Sequence, residues 1–190
     1  MNRPEVRVRH VILDRDGVIN EEAPAGGYIT RPESWRWITG SREALAQFAR
    51  AGIRVSVATN QSGVGRGLMT RHDLDDVHGR MIREAAEAGG HFDALFACTH
   101  APDAGCDCRK PAPGLILAAI AAAGIPAAAT LVVGDDRRDL ESAAAAGVAA
   151  ALVLTGKGRN SSAAAEANRI PVYDDLRALA LALLASPAHD

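Results

Sequence analysis

The stretch Val11-Ile12-Leu13-Asp14-Arg15-Asp16-Gly17 decides how this chain is read. Three apolar residues in a row read as a buried strand, and the acids follow directly. Side chains alternate along extended backbone, so Asp14 and Asp16 point to the same side. Two carboxylates that close cannot both stay ionised without help. Either a cation sits between them or one keeps its proton, and both outcomes fit a phosphate-handling site with a divalent metal. A solvated acidic turn after an edge strand has the same local pattern, so the rest of the chain must decide.

Further apolar runs occur at 53–58, 94–98, 130–133 and 148–154, with a short one at 171–173, and the first extends over 8–13. Helical patterns fall between them, at 41–50, from Thr70, at 113–123, at 138–146 and at 174–184. Leu74, Val77, Met81, Ile82, Ala85 and Ala86 share one helical face, and Thr70 with Asp73 forms a capping-box pattern. This alternation predicts an α/β fold with a doubly wound, mainly parallel sheet, over a single domain spanning 1–190. Ligands in such sheets bind beyond the carboxyl ends of the strands. The residues there are Asp14 to Gly17, Thr59-Asn60-Gln61-Ser62-Gly63, the Cys98–Lys110 segment and Gly134-Asp135-Asp136. Four polar strand ends at one sheet edge form a constellation that a chance acidic turn does not explain.

Composition narrows the function classes. The chain has 190 residues, and its formal charge of −2 gives no basic footprint for nucleic acid or a membrane surface. No charged-then-apolar leader pattern opens the sequence, so a cytoplasmic protein is expected. The uncharged stretch 111–134 is long enough to raise a membrane span. Pro113, Gly114, Gly124 and Pro126 break it, and a helix, a turn and a strand explain it better. All three cysteines lie between Cys98 and Cys108, unlike a secreted disulfide framework. Cys98, His100, Cys106 and Cys108 make a closed tetrahedral zinc set; free thiols or a Cys106–Cys108 disulfide are the alternatives.

The segments LDRDGVIN, TNQSGVGRG and CDCRKP together resemble the haloacid-dehalogenase (HAD) superfamily of phosphatases. The resemblance is closest to its zinc-containing branch, which includes heptose-bisphosphate and histidinol-phosphate phosphatases. It covers about residues 8 to 147 and implies a Rossmann-like core. By that resemblance Asp14 is the nucleophile, forming an aspartyl-phosphate, and Asp16 is the general acid and base. As an acid, Asp16 would need a raised pKa. Catalytic Mg²⁺ would be held by Asp14, the Asp16 backbone carbonyl and Asp135. Thr59 and Lys110 would bind the transferring phosphoryl group, and Arg109 would recognise a second phosphate or hydroxyls. Asn60, Gln61 and Ser62 offer further donors to substrate, Asp136 is a candidate substrate contact, and Asp139 would order the loop or cap the next helix. Structural Zn²⁺ would stiffen the loop ending in Arg109-Lys110.

The intervals between motifs leave no room for a large cap. The segment 21–40, with Tyr28, Trp35 and Trp37, is either a small flap or a packed surface loop. The implied substrate is a small phosphorylated sugar, heptose 1,7-bisphosphate losing its 7-phosphate, handled by a monomer with no nucleic-acid or membrane partner. Histidinol phosphate and a nucleic-acid 3′-phosphate are lesser alternatives. A phospho-accepting receiver domain is the rival from another class, but its acceptor Asp follows the third strand rather than the first.

Overall fold

The computed structural model describes residues 8–185. Six strands form one all-parallel sheet: β1 (His10–Leu13), β2 (Arg54–Asn60), β3 (Ala94–Cys98), β4 (Thr130–Gly134), β5 (Ala149–Val153) and β6 (Val172–Tyr173). Their spatial order is β3-β2-β1-β4-β5-β6. The chain winds outward from β1 in one direction, returns to β4 on its other side, and continues outward. The switch point therefore lies between β1 and β4, where this topology leaves a crevice. Asp14 follows β1 and Asp135 follows β4, so topology alone brings them together.

Strand alternation divides the core into two layers. Val11 and Leu13 of β1 face a cluster with α1 (Ser41–Arg50), α2 (Arg71–Glu87) and α6 (Leu176–Ala185). Ile12 faces the opposite layer, built from α3 (Gly114–Ala123) and α4 (Arg137–Ala145). Both faces of β1 are thus covered, which is why its sequence is an unbroken apolar run. The capping box predicted at Thr70 is present, with Thr70 Oγ1 accepting from Asp73 N and Asp73 Oδ2 accepting from Thr70 N. The uncharged stretch resolves into α3, a short 3-10 turn and β4, and no described helix is long and apolar enough to cross a membrane.

Two features differ from the sequence expectation. An additional helix, α5 (Gly158–Ala167), lies between β5 and β6. Its sequence, GRNSSAAAEA, carries no large apolar stripe, and it docks through Gly158, Ser161 and Ala165. Close approach of small residues leaves no periodic hydrophobic signal to read. The segment 21–40 is neither wholly flap nor wholly surface loop. Trp35 is fully buried in the first core layer and meets Trp37 edge-to-face at 5.3 Å, while Glu22, Ala23 and Gly26 to Ile29 border the cleft at the strand ends.

Phe48 of α1 is fully buried in that first layer. Phe48→Ala is expected to cost about 3–5 kcal/mol, read as a lowered urea midpoint with an unchanged denaturant slope.

Candidate active site

The strand ends enclose a cleft of about 380 Å³, bordered by Asp14 to Asp16, Glu22, Ala23, Gly26 to Ile29, Thr59 to Ser62, Arg109, Lys110, Asp135, Asp136, Arg138, Asp139 and Lys157. Carboxylates of Asp14, Asp135 and Asp139 lie within 4.8 Å of one another. Lys110 is buried among them, its Nζ 2.8 Å from Asp14 Oδ1 and 2.5 Å from Asp139 Oδ1. Burial disfavours the ammonium, but the charges of Asp139 and Asp14 outweigh it and hold Lys110 protonated well above the ordinary lysine range. One cation does not balance three acids. Burial first, then the neighbouring acids against the pull of Lys110, pushes Asp14 up to about 6. Burial and the charges of Asp14 and Asp139 push Asp135 up to about 8.

The remaining lone pairs show where a divalent cation fits. Asp139 Oδ2 accepts from Asp136 N, so both Asp139 oxygens are engaged. Asp135 Oδ2 accepts from Lys157 N at 2.7 Å. One oxygen each on Asp14 and Asp135 therefore has no protein partner among the described residues. Free hard oxygens beside excess negative charge suit Mg²⁺. The site is also built to exclude extra side chains. A Cβ on Gly156, whose φ is +54°, would stand 2.2 Å from Asp135 Oδ2, and one on Gly17, with φ +87°, would stand 2.1 Å from it.

Asp16 departs from expectation. Its Oδ1 accepts from Arg15 Nη2 and Asn20 Nδ2, and its Oδ2 accepts from the same Arg15 nitrogen and from Gln61 Nε2, all at 2.7–3.0 Å. Burial raises its pKa, but the Arg15 charge and the donors of Asn20, Arg15 and Gln61 outweigh that and hold it below the ordinary carboxylate range. A raised value was expected; four donor contacts reverse the sign.

Four other expected substrate contacts have internal partners. Asn60 Nδ2 donates to the Lys110 carbonyl and its Oδ1 accepts from Lys110 N, so its amide clasps the lysine backbone. Gln61 Nε2 donates to both Asp16 Oδ2 and Thr59 Oγ1. Because Thr59 accepts there, its own hydroxyl proton is left to point elsewhere. Asp136 caps α4 and holds Arg138 through Nε and Nη2, so its carboxylate is engaged by its own helix. Ser62 shares a hydrogen bond of 3.1 Å with the Tyr28 hydroxyl, tying the 22–29 segment to the loop after β2.

Cys98, His100, Cys106 and Cys108 converge after β3. Their separations are 3.6 Å for Cys98 to Cys106, 3.5 Å for Cys106 to Cys108, 3.5 Å for Cys98 to His100 and 3.2 Å for His100 to Cys108. A tetrahedron with Zn–S bonds of about 2.3 Å has S···S edges of about 3.8 Å, so this donor set fits zinc. The loop docks on the QSGVGRG turn through Gly65, where a Cβ would lie 2.5 Å from the Thr99 carbonyl and Ala101 N. Arg109 lines the cleft beyond it, and its buried Nη1 has no partner among the described residues.

Sequence reasoning missed Arg15, Asn20 and Lys157. Arg15 had a signal, since a residue between two same-side acids must point the other way, into the core. His10 and His78, which lie outside the Cys/His cluster, are both buried.

A family model described as HAD-hydrolase-like matches residues 107–179. The chain is 43% identical over 174 residues to the D-glycero-beta-D-manno-heptose-1,7-bisphosphate 7-phosphatase of Pseudomonas putida, covering 92% of this chain and 98% of that one. The chain belongs to the HAD-like phosphatases. The D,D-heptose 1,7-bisphosphate phosphatase of B. bronchiseptica, solved with magnesium and phosphate, superposes on this phosphatase with a TM-score of 0.89. The two are 41% identical, over 95% of this chain and all of the other. The corresponding Burkholderia thailandensis enzyme is 41% identical, with a TM-score of 0.67 over 94% of this chain and 99% of that one.

Gly156→Ala is expected to displace the Asp135 carboxylate and weaken Mg²⁺ binding by about tenfold or more. Calorimetric Mg²⁺ titration checks this, and parent-like affinity would contradict it.

Proposed function

We propose that this phosphatase hydrolyses the 7-phosphate of D-glycero-D-manno-heptose 1,7-bisphosphate through an aspartyl-phosphate on Asp14. The observation that carries the reading is the pair of free oxygens on Asp14 and Asp135 at the switch point, with the buried Lys110 ammonium beside them. That arrangement supports reading a nucleophile, a metal position and a phosphate counter-charge within one cleft. The choice of sugar rests on the relatives and on Arg109, whose unpartnered Nη1 suits a second phosphate.

An Asp14 oxygen attacks phosphorus and the bond from phosphorus to the sugar oxygen breaks. Asp16 gives its proton to that departing oxygen; a phosphate dianion brought beside Asp16 pushes its carboxyl upward again, towards the acid form. Water then attacks the aspartyl-phosphate while Asp16 takes its proton, which releases inorganic phosphate and restores the Asp14 carboxylate. Asp14, Asp135 and the Asp16 carbonyl would hold Mg²⁺, which when bound offsets the charge between carboxylate and phosphate dianion. Lys110 faces the phosphoryl oxygens, and Thr59, accepting from Gln61, turns its proton towards them. Cys98, His100, Cys106 and Cys108 hold structural Zn²⁺ and so fix Arg109 and Lys110. The protein works as a single-domain cytoplasmic monomer, with neither nucleic acid nor membrane as partner, a reading supported by its formal charge of −2.

Three measurements test this. Phosphate release from both anomers of the bisphosphate, beside histidinol phosphate, should show the bisphosphate as the better substrate; release from histidinol phosphate alone would reject the sugar assignment. Asp14→Asn should abolish turnover, whereas retained activity would reject covalent catalysis. Protein purified without added zinc should contain about one zinc per chain, and its absence would reject the cluster assignment.

A further inference from the structure

Arg15 is 1% exposed and among the largest fully buried side chains in the molecule. A buried guanidinium is costly unless it is matched; here both terminal nitrogens have partners, while Nε has none among the described residues. One of its nitrogens, Nη2, stands 3.0 Å from both oxygens of Asp16. The other, Nη1, lies 3.1 Å from Nε2 of His78, a buried residue of α2, and the guanidinium packs 5.8 Å from the centre of the Trp35 ring. Guanidinium nitrogens only donate, so His78 Nε2 is the acceptor and the ring proton is on Nδ1. His78 therefore acts as a neutral brace from the α2 side of the core. Its partner is a rigid planar group that cannot turn one nitrogen without turning the other. Fixing Nη1 on His78 fixes Nη2, and with it the plane of the Asp16 carboxylate.

We propose that Arg15 and His78 are a positioning pair that sets the orientation of Asp16 towards the leaving-group oxygen, by way of a contact running from Asp16 through Arg15 to His78 on α2. This rests on Asp16 being the general acid. Both act through Asp16 rather than by contact with substrate. In kcat/KM, which covers the steps up to formation of the aspartyl-phosphate, their effect is on the proton delivered to the departing oxygen, and attack by Asp14 proceeds without them. General acid catalysis contributes most where the leaving group is a poor one, such as a sugar alkoxide, and least for 4-nitrophenolate.

The test compares kcat/KM for heptose 1,7-bisphosphate, phenyl phosphate and 4-nitrophenyl phosphate in His78→Leu, His78→Gln, Arg15→Lys and Asp16→Asn. His78→Leu and Arg15→Lys are expected to lose about 10- to 100-fold on the sugar phosphate, with KM within about twofold, and to lose progressively less along the aryl series. His78→Gln keeps an acceptor for Nη1 and should recover most of the loss. Comparing esters within one preparation cancels any difference in folded fraction. An equal loss on every ester, or no recovery in His78→Gln, would overturn the positioning pair. Asp16→Asn separates the two layers of the argument: a loss independent of leaving group in that variant would remove the acid assignment. A graded loss there with a flat loss in the Arg15 and His78 variants would remove the positioning pair alone. Parent-like kinetics in both His78→Leu and Arg15→Lys would also overturn it.

Discussion

Three acids crowd the ends of β1 and β4, and one buried ammonium stands among them. That imbalance is the constraint on which the rest of the site depends. Lys110 cannot neutralise Asp14, Asp135 and Asp139 together, so the cluster has a standing affinity for further positive charge. The protein could have relieved the imbalance with another basic side chain. Instead it closes the space around Asp135 with glycine at 17 and 156 and engages one Asp135 oxygen with a backbone amide. The other oxygen is left free. A cluster satisfied internally would be more stable and would bind nothing, which is the usual trade at a functional site.

Holding Lys110 in that position takes more than its own ion pairs. The residue arrives at the end of the long loop that follows β3, far in sequence from both carboxylates it meets. Asn60, at the end of β2, hydrogen-bonds both polar atoms of the Lys110 backbone. The Cys/His cluster folds the loop upstream, and Gly65 lets that loop pack directly on the turn after β2. An irregular loop acquires the precision of a strand end because it is tied at several points to elements the sheet already fixes.

Asp16 shows the converse logic. Asp14 is pushed up by burial and neighbouring acids despite Lys110, whereas Asp16, two residues away, is drawn down by the Arg15 charge and its donors. Two like residues on one strand end therefore have unlike environments, which is how neighbouring carboxylates come to hold different protonation roles. The difference comes from the partners each acid meets. Asp14 meets Lys110 at the switch point, while Asp16 is reached by Arg15, which His78 of α2 contacts, and by Gln61 from the loop after β2.

The sequence alone determined the layout. Unbroken apolar runs gave the strands, because strands buried on both faces need no alternation, and the polar residues after them identified the binding edge. The convergence of Asp14 with Asp135, and the gathering of Cys98, His100, Cys106 and Cys108, were both legible as residue types at strand ends. The helix α5 was not legible, since it docks through small residues that leave no hydrophobic period. Nor was the division of labour among polar side chains. Asn60, Gln61 and Asp136 read as donors or acceptors for a ligand, and the folded chain engages all three internally. A sequence states what a side chain can bond to. Only tertiary structure decides which partner lies within 3 Å, because those partners come from segments tens of residues away.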